Sequence, residues 1–281
     1  MTVSSTSNGL PIRALAEVLE NRDEGAGGFR LTLSVADWPG ALPGQFLMLS
    51  AGVCTDQDQL DPLLPRPMAV YQGHRPAVAG GAAEVSILFK ATGAGTRLLA
   101  EASPGQHVRV VGPLGGGFPE PRPNQRVVLV GGGTGTASLY EWAAQCAKTH
   151  TTTVVLGARS QQELIGRADF ERLGVDLRLA TEDGSQGVRG RVTAVLEPLL
   201  AEAGRGEVCV YACGPTPMMK ACSDLAAAAG MACVVSLENN MACGFGVCLG
   251  CAVPMAEGGF SLVCRSGPIY QAGVIDWAGL P

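Results

Sequence analysis

Short apolar runs alternate with turn residues through the first 122 residues of the chain. The runs are rich in valine, leucine and phenylalanine, and they occupy positions 13–20, 29–35, 45–49, 68–72, 84–90 and 106–111. Many short strands separated by turns at regular spacing are typical of antiparallel barrels and sandwiches. We therefore predict an antiparallel β-barrel domain over residues 1–122.

Prolines at positions 119, 121 and 123 precede a different pattern. Apolar strands at 126–130, 152–156, 175–180 and 207–212 alternate with helical segments at 137–148, 163–173, 191–200 and 217–229. Alternating strands and helices build a parallel sheet that helices cover on both faces. The pattern predicts a parallel-sheet α/β domain over residues 123–235, followed by a small C-terminal domain over residues 236–281.

Four cysteines in the C-terminal stretch have the spacing of metal ligands. They are Cys243, Cys248, Cys251 and Cys264. The pattern C-x4-C-x2-C with one later cysteine is that of plant-type 2Fe-2S clusters, and the glycines between the cysteines let the backbone wrap closely around such a cluster. The alternative is a four-thiolate zinc site, which usually shows two C-x2-C pairs instead. The spacing favours a 2Fe-2S cluster.

Composition and charge narrow the class of protein. The chain has 281 residues, 47% of them apolar, and a formal net charge of −5 without a basic run, so nucleic acid is not an expected partner. Glycine, proline or a charged residue interrupts every apolar run, which predicts no membrane span. The ten cysteines lie in a long chain that begins without a signal-peptide pattern. We therefore predict a reduced, cytoplasmic protein.

The first candidate binding motif is Arg66-Pro67-Met68-Ala69, at the start of a predicted strand. Arginine presents a planar fork of N–H donors that matches the oxygens of a phosphate. An exposed arginine beside an edge-strand proline would have the same sequence. By itself, the motif leaves both interpretations open.

The second motif is a strand that passes through a glycine loop into a helix, with Thr92, Gly93, Gly95 and Thr96 in the loop. Such a loop leaves backbone N–H groups free to bind an anion. The alternative is a simple turn in which Thr96 caps the helix. Taken together, the two motifs favour a single ligand that carries a pyrophosphate group.

A second glycine loop follows the first strand of the predicted α/β domain. It consists of Gly131, Gly132, Gly133, Thr134 and Gly135. The loop departs from the dinucleotide fingerprint, since Thr136 replaces the third glycine and Arg159-Ser160 follow the second strand where an acidic residue is usual. A glycine loop at the carboxyl end of a strand can still admit a nucleotide.

Another candidate site lies at the end of the last predicted strand of the α/β domain, where Cys213, Gly214 and Pro215 occur. Open α/β sheets bind their ligands at the carboxyl ends of the strands. Cys213 is therefore either an inert turn residue or part of a nicotinamide pocket. The sequence does not decide between these two interpretations.

The order of these motifs resembles the ferredoxin–NADP reductase superfamily. Within it, the chain resembles the electron-transfer subunits of NAD-dependent dihydroorotate dehydrogenases over nearly its whole length. The resemblance is most specific at Tyr211-Ala212-Cys213-Gly214-Pro215-Thr216-Pro217-Met218 and at Met241-Ala242-Cys243-Gly244. It implies an FAD site at the first two motifs, an NAD site at the second glycine loop with Cys213, Gly214 and Pro215, and a 2Fe-2S cluster on the four cysteines.

The resemblance also implies a function and a partner. Electrons would pass from an FMN-containing dihydroorotate dehydrogenase catalytic subunit through the cluster and FAD to NAD+, in pyrimidine biosynthesis and in a heterotetramer of two plus two subunits. The apolar tail with Ile269, Tyr270, Val274, Ile275 and Trp277 is an expected docking surface for that partner, and the alternative is that it packs in the core under the cluster loop. No catalytic acid or base is expected from this chain. Ala69 replaces the serine that usually approaches the flavin in the superfamily, which puts the tuning of the flavin in doubt.

Three alternatives remain at the level of sequence. The chain resembles, within the same superfamily, a subunit of an NADPH–ferredoxin or sulfide-type oxidoreductase, because Arg159-Ser160 keeps a 2′-phosphate pocket possible. A free-standing reductase that serves an oxygenase would act without a stoichiometric partner. A zinc-stabilised nucleotide-binding module would be colourless and would catalyse no reaction.

Overall fold

Six antiparallel strands form the first sheet of the computed structural model, which describes residues 10–50, 62–76 and 80–280. The strands are β1 (Ile12–Gly25), β2 (Gly28–Ala36), β3 (Phe46–Leu49), β4 (Arg66–Ala69), β5 (Ala82–Lys90) and β6 (His107–Leu114). Their order in the sheet is β4-β3-β6-β1-β2-β5. Burial along β2 alternates from residue to residue over most of its length, because one face of this strand packs on a core.

Backbone hydrogen bonds curl this sheet into a barrel. The N–H of Tyr71 donates to the carbonyl of Ser86 over 2.9 Å, and the N–H of Ser86 donates to the carbonyl of Gln72 over 2.7 Å. These bonds join the residues that follow β4 to β5, the opposite edge strand of the sheet. The antiparallel barrel predicted from the sequence is confirmed.

A short helix, α1 (Ala94–Ala100), follows β5 and packs on the barrel. The side-chain amide of Asn21 on β1 donates to the carbonyls of Leu99, Ala100 and Ala102 over 3.0, 3.0 and 2.8 Å. The last carbonyls of a helix have no partner within the helix. Asn21 supplies that partner and holds the end of α1 against the barrel.

The second sheet is parallel over the strands that the sequence predicts, and helices cover it. Its elements are β7 (Arg126–Gly132), α2 (Thr136–Cys146), β8 (Thr152–Ala158), α3 (Arg167–Arg172), β9 (Asp176–Thr181), β10 (Val188–Arg189), α4 (Thr193–Ala201), β11 (Val208–Cys213), α5 (Thr216–Ala228) and β12 (Ala232–Ser236). Strands β7 and β11 lie at the centre and are buried almost throughout, as their continuous apolar sequences predict. The α/β prediction is confirmed, although the sequence analysis missed the strand β12.

The C-terminal segment contains a small hairpin and one strand of the large sheet. The hairpin consists of β13 (Ala252–Pro254) and β14 (Phe260–Leu262), and it is followed by α6 (Val263–Ser266) and β15 (Ile269–Gln271). Strand β15 pairs antiparallel with β12, so the order of the second sheet is β10-β9-β8-β7-β11-β12-β15. The segment after residue 236 thus completes the second sheet as well as carrying the cysteines, and the domain boundary at that residue stays a prediction.

The expected apolar docking tail is wrong for most of its residues. Ile269, Tyr270 and Ile275 are buried, Trp277 is half-buried, and Val274 is exposed. Tyr270 and Ile275 pack with side chains of β12 and α5 in one core, and Ile269 packs with Val234 of β12 in a second core, because β15 is a strand of the sheet rather than a free tail. The apolar residues of this segment therefore stabilise the fold.

Two acidic residues of the α/β half bind cations of the barrel half. The buried carboxylate of Asp169 on α3 pairs with Arg30 on β2 and accepts a hydrogen bond of 2.6 Å from the hydroxyl of Tyr71. Glu163 lies 2.9 Å from the ammonium of Lys90 at the end of β5. These contacts fix the barrel and the second sheet relative to one another.

A membrane-spanning helix needs about 20 mostly apolar residues. None of the helices in the part of the chain that the structure describes is long and apolar enough to cross a membrane.

Candidate functional site

A cleft of about 670 Å³ separates the barrel from the second sheet. Its barrel wall comes from β4, the end of β5 and the start of α1, and includes Arg66, Pro67, Met68, Ala69, Lys90, Thr92 and Thr96. Its other wall comes from the carboxyl ends of the strands of the second sheet, and includes Thr134, Ser138, Gly214, Pro215 and the run 236–241. Six of the eight residues assigned to FAD from the sequence and three of the eight assigned to NAD thus face one cavity, whereas Gly131, Gly132, Gly133, Gly135 and Cys213 are not among its lining residues.

The Arg66 motif lies in the barrel wall of the cleft. Arg66 begins β4, which pairs with β3 so that Arg66 lies opposite Leu49 and Ala69 lies opposite Phe46. The guanidinium donates one hydrogen bond to the carbonyl of Leu64. Because an arginine carries five N–H donors, the side chain keeps further donors for a ligand in the cleft.

The loop before α1 is structured by its own threonine. The Thr96 hydroxyl accepts hydrogen bonds from the N–H groups of Thr92 and Gly93 over 3.0 and 2.9 Å. These two donors are therefore engaged within the loop. Thr92 and Thr96 line the cleft, whereas Gly93 and Gly95 are not part of its lining among the described residues.

Packing explains two of the glycines in the second loop. A Cβ atom on Gly135 would lie 2.5 Å from the backbone of Cys213, and one on Gly132 would lie 2.5 Å from the sulfur of Met218. These glycines let the loop approach the end of β11 and α5. Gly133 differs, since its φ of +56° favours glycine and a Cβ there would meet no atom within 4 Å. Open space beside Gly133 is what a bound nucleotide would require.

Cys213 is a packing residue behind the cleft. It is fully buried at the end of β11, and this burial raises the pKa of its thiol to about 12, although Ser138 and Ser236 donate to the sulfur. A neutral buried thiol has no nucleophilic role at neutral pH. Gly214 and Pro215, the next two residues, line the cleft in its place.

Sequence reasoning missed the cleft-lining run 236–241, which directly follows β12. Among its residues, Glu238 has a carboxyl whose pKa is raised by desolvation. The signal that could have found this run is the apolar stretch 232–236, since residues at the carboxyl end of a parallel strand line ligand sites. Because the sequence patterns did not predict β12, they did not predict that the residues after it line the cleft.

Two of the four cysteines form a close buried pair. The sulfur atoms of Cys251 and Cys264 lie 3.2 Å apart, and the N–H of Cys264 is 3.4 Å from the sulfur of Cys251. Cys251 precedes β13, and Cys264 lies on α6. The hairpin between them brings the two thiols together.

The other two cysteines lie nearer the surface, with Cys243 half-buried and Cys248 exposed. Desolvation raises the pKa of the Cys243 thiol, but N–H groups of Cys248, Phe245 and Val247 donate to the sulfur and outweigh it, so the pKa falls to about 6. The Cys248 thiol also donates to Cys243. Backbone donors around a thiolate are a feature of protein-bound iron–sulfur clusters, where they tune the potential.

The arrangement of the thiols fits a two-metal cluster. Within the described ranges, no three His, Cys, Asp or Glu side chains are grouped as ligands of a single ion. The thiols instead form the pairs Cys243–Cys248 and Cys251–Cys264. Each iron of a 2Fe-2S cluster takes two thiolates, so the two pairs are an arrangement that could hold such a cluster.

This architecture is that of the flavin- and nucleotide-dependent reductases. A chain of a solved NADH-dependent reduced ferredoxin–NADP oxidoreductase superposes with a TM-score of 0.80 at 29% identity, covering 94% of this chain and 91% of that one. The ferredoxin reductase of carbazole 1,9a-dioxygenase superposes with a TM-score of 0.64 at 21% identity, over 79% of this chain and 67% of that one. This second similarity concerns only the fold.

Comparison of the sequence identifies the family within this class. Residues 238–276 match the iron–sulfur cluster binding domain of dihydroorotate dehydrogenase B, and residues 129–224 match the oxidoreductase NAD-binding domain. The electron transfer subunit of dihydroorotate dehydrogenase B (NAD(+)) from Geobacillus thermodenitrificans is 38% identical over 83% of this chain and 86% of its own length. The corresponding subunit from Caldanaerobacter subterraneus is 36% identical over 92% of this chain and 96% of its own length. The chain belongs to the family of dihydroorotate dehydrogenase B electron transfer subunits.

Proposed function

We propose that this chain transfers electrons between NAD+ and a catalytic partner subunit that oxidises dihydroorotate, in pyrimidine biosynthesis. The observation that carries the proposal is the adjacency of two sites. The run 236–241 lines the cleft, and the first cysteine of the proposed cluster site, Cys243, follows it after one residue. A ligand in the cleft and a cluster on the cysteine loop would therefore be close neighbours.

In this proposal the barrel wall of the cleft binds FAD. Arg66 supplies N–H donors to the pyrophosphate, and Pro67, Met68 and Ala69 continue the strand beside the flavin. The loop with Gly93 and Gly95 forms the second contact through Thr92 and Thr96, which line the cleft. FAD, when bound, supplies the chemistry that links one-electron and two-electron carriers. The protein contributes binding and orientation.

The opposite wall is proposed to bind NAD. Gly131, Gly132, Gly133, Thr134 and Gly135 form the proposed pyrophosphate loop, in which Gly133 has open space around it. Gly214 and Pro215 line the cleft where the nicotinamide would approach the flavin, and Cys213 supports them from behind. The two walls would thus place the two ligands against one another.

The four cysteines are proposed as the ligands of a 2Fe-2S cluster, and the loop around them as the contact with the partner. Phe245, Val247 and Leu249 occupy every second position in one part of this loop, and their side chains are 61%, 72% and 62% exposed. Exposed apolar residues grouped on one segment mark a protein contact. We name these three residues the docking patch, and it replaces the tail expected from the sequence.

The remaining features of the proposal concern the assembly and the compartment. The partner is expected to carry FMN, and the expected assembly is a heterotetramer of two plus two subunits. The cytoplasm is the proposed location, because the nine cysteines in the described ranges are all free thiols. Free thiols persist in a reducing compartment.

The function is tested by removing one exposed ligand in the complex with the partner. Cys248→Ala should abolish NADH formation from dihydroorotate and NAD+, while anaerobic NADH still bleaches the flavin absorbance of the same sample. Cys222→Ala, at a buried cysteine on α5 outside the cysteine loop, is the control and should keep the coupled reaction. Coupled turnover in Cys248→Ala at the rate of the control would refute the electron path.

A further inference from the structure

The residues that follow β8 lie where nucleotide-binding sheets contact the adenosine ribose. In such sheets an acidic residue after this strand binds the 2′-hydroxyl of NAD, and an arginine nearby accommodates the 2′-phosphate of NADP. Strand β8 ends at Ala158, and Arg159 and Ser160 follow it. Judged by these two residues alone, the site would accept NADP.

The guanidinium of Arg159 is already bound to a carboxylate. Its Nε atom lies 2.9 Å from Oε1 of Glu163, and its Nη2 atom lies 3.1 Å from Oε2. Two parallel contacts of this kind use the donor fork that a phosphate would need. The side chain of Arg159 is exposed, so a ligand could reach it from solvent.

A cation of the barrel holds Glu163 in this position. The ammonium of Lys90 lies 2.9 Å from Oε2 of Glu163, and both side chains are about one-fifth exposed, at 20% and 19%. The hydrogen bond from Lys90 lowers the pKa of the Glu163 carboxyl, so it is ionised at neutral pH. Lys90 and Arg159 thus bind the carboxylate from two sides.

A second acidic residue packs against the same turn. The N–H of Asp183 donates to the carbonyl of Arg159 over 3.1 Å, and its carboxylate accepts hydrogen bonds from the N–H and the hydroxyl of Ser185. Another cation near this corner is Arg189, whose side chain lies against Gly184. A test of Arg159 must therefore distinguish it from Arg189.

We propose that Glu163 is a specificity-determining residue that makes this site prefer NAD(H) to NADP(H). Its carboxylate neutralises Arg159 and places a fixed negative charge beside the ribose, so a 2′-phosphate loses its donor and meets repulsion. A ribose with a 2′-hydroxyl meets neither penalty, since a hydroxyl can donate to a carboxylate. The proposal rests on the proposed function, because it concerns the nucleotide of that same site.

The experiment compares NADH and NADPH as reductants of the flavin in the complex with the catalytic partner. The ratio of kcat/KM for NADPH to kcat/KM for NADH should rise roughly tenfold or more in Glu163→Gln, since a charged pair is replaced by a neutral amide. A gain of NADPH activity cannot come from misfolding. The matched control is Glu171→Gln, which removes another i,i+4 pair, the contact of 2.7 Å with Arg167. Its ratio should not change.

Two further arms separate the possible explanations. The double variant Glu163→Gln with Arg159→Ala should lose the gain, whereas a gain that persists would assign it to Arg189 and overturn the role of Arg159. Calorimetry with adenosine 2′,5′-bisphosphate and with 5′-AMP should show tighter binding of the bisphosphate only in Glu163→Gln. This binding arm does not depend on turnover.

Each outcome bears on one of the two proposals. An unchanged ratio in Glu163→Gln, or an equal rise in Glu171→Gln, overturns the specificity proposal while NADH reduction of the flavin leaves the function intact. Failure of both nucleotides to reduce the flavin in the unsubstituted complex overturns the proposed function, and the specificity proposal with it.

Discussion

At the scale of single residues, Asp169 joins the two halves through a buried set of contacts. It accepts from Tyr71 and pairs with Arg30 and Arg172, and the guanidinium of Arg30 lies 4.9 Å from the centre of the Tyr71 ring. Burial raises the pKa of the Asp169 carboxyl, but the bonds from Tyr71 and Arg30 outweigh it and lower the pKa. The carboxylate is the form that the folded protein stabilises.

Asp169→Asn should lower the stability of the protein by about 1.5–3 kcal/mol at neutral pH, because it removes the charged acceptor of Arg30 and Tyr71, while Glu24 remains 2.9 Å from the Nε atom of Arg30. A carboxyl with a lowered folded pKa contributes stability above its unfolded pKa of about 3.9, and this contribution is lost as the pH falls through the folded pKa. Thermal melts should therefore show the largest gap between variant and parent above about pH 4, narrowing below it.

The matched control for this residue is Asp224→Asn. Asp224 pairs with Lys220 over 2.6 Å, but both side chains are exposed, and exposed pairs contribute little to stability. Its melting temperature should stay close to that of the parent at every pH. A melting temperature of Asp169→Asn equal to that of Asp224→Asn would contradict the importance of the contacts between the halves.

At the scale of elements, the cysteine loop combines a metal site with a contact surface. Gly244 and Gly246 have φ angles of +81° and +88°, and a Cβ on Gly244 would lie 2.5 Å from the Met48 side chain. The loop thus lies tightly against β3 of the barrel, and its apolar side chains point outward. Close packing on one side and exposure on the other suit a segment that transfers electrons to a second protein.

The double variant Phe245→Ser with Val247→Ser should weaken binding of the catalytic partner by roughly 10- to 100-fold, since large apolar residues at an interface contribute most of its affinity. Iron and flavin content should be unchanged, because neither side chain is a ligand. Titration of the labelled partner measures the affinity. Leu15→Ser, at a residue of β1 that is 55% exposed, is the control and should bind normally. Equal affinities in both variants would exclude the docking patch.

At the scale of the whole molecule, features encoded by local spacing were predictable from the sequence. The barrel, the alternating strands and helices and the spacing of the four cysteines each follow from residues that are near one another in the chain. Arg66 and Thr96 were found for the same reason, because each belongs to a short motif with a physical role. The comparisons with known proteins agree with the family that these motifs indicated.

Features that depend on distant contacts could not be predicted in this way. Strand β15 joins the sheet through β12, more than 30 positions earlier, so the local sequence leaves open whether the apolar tail is a docking surface or part of the core. The partners of Glu163 and Asp169 come from the barrel, 73 and 139 positions earlier in the chain. No periodicity links such residues, and only the fold shows that Lys90 binds Glu163, the partner of Arg159.

The central claim is that one chain joins a flavin site, a nucleotide site and an iron–sulfur site for a dihydroorotate-oxidising partner. It is tested most directly by anaerobic absorption spectroscopy of the purified complex, with iron, sulfide, flavin and zinc analysis. We predict about two irons and two sulfides per chain. We also predict that the chain holds FAD, and that both NADH and dihydroorotate bleach its absorbance. Zinc without sulfide, or a flavin that responds to NADH but never to dihydroorotate, would contradict the account.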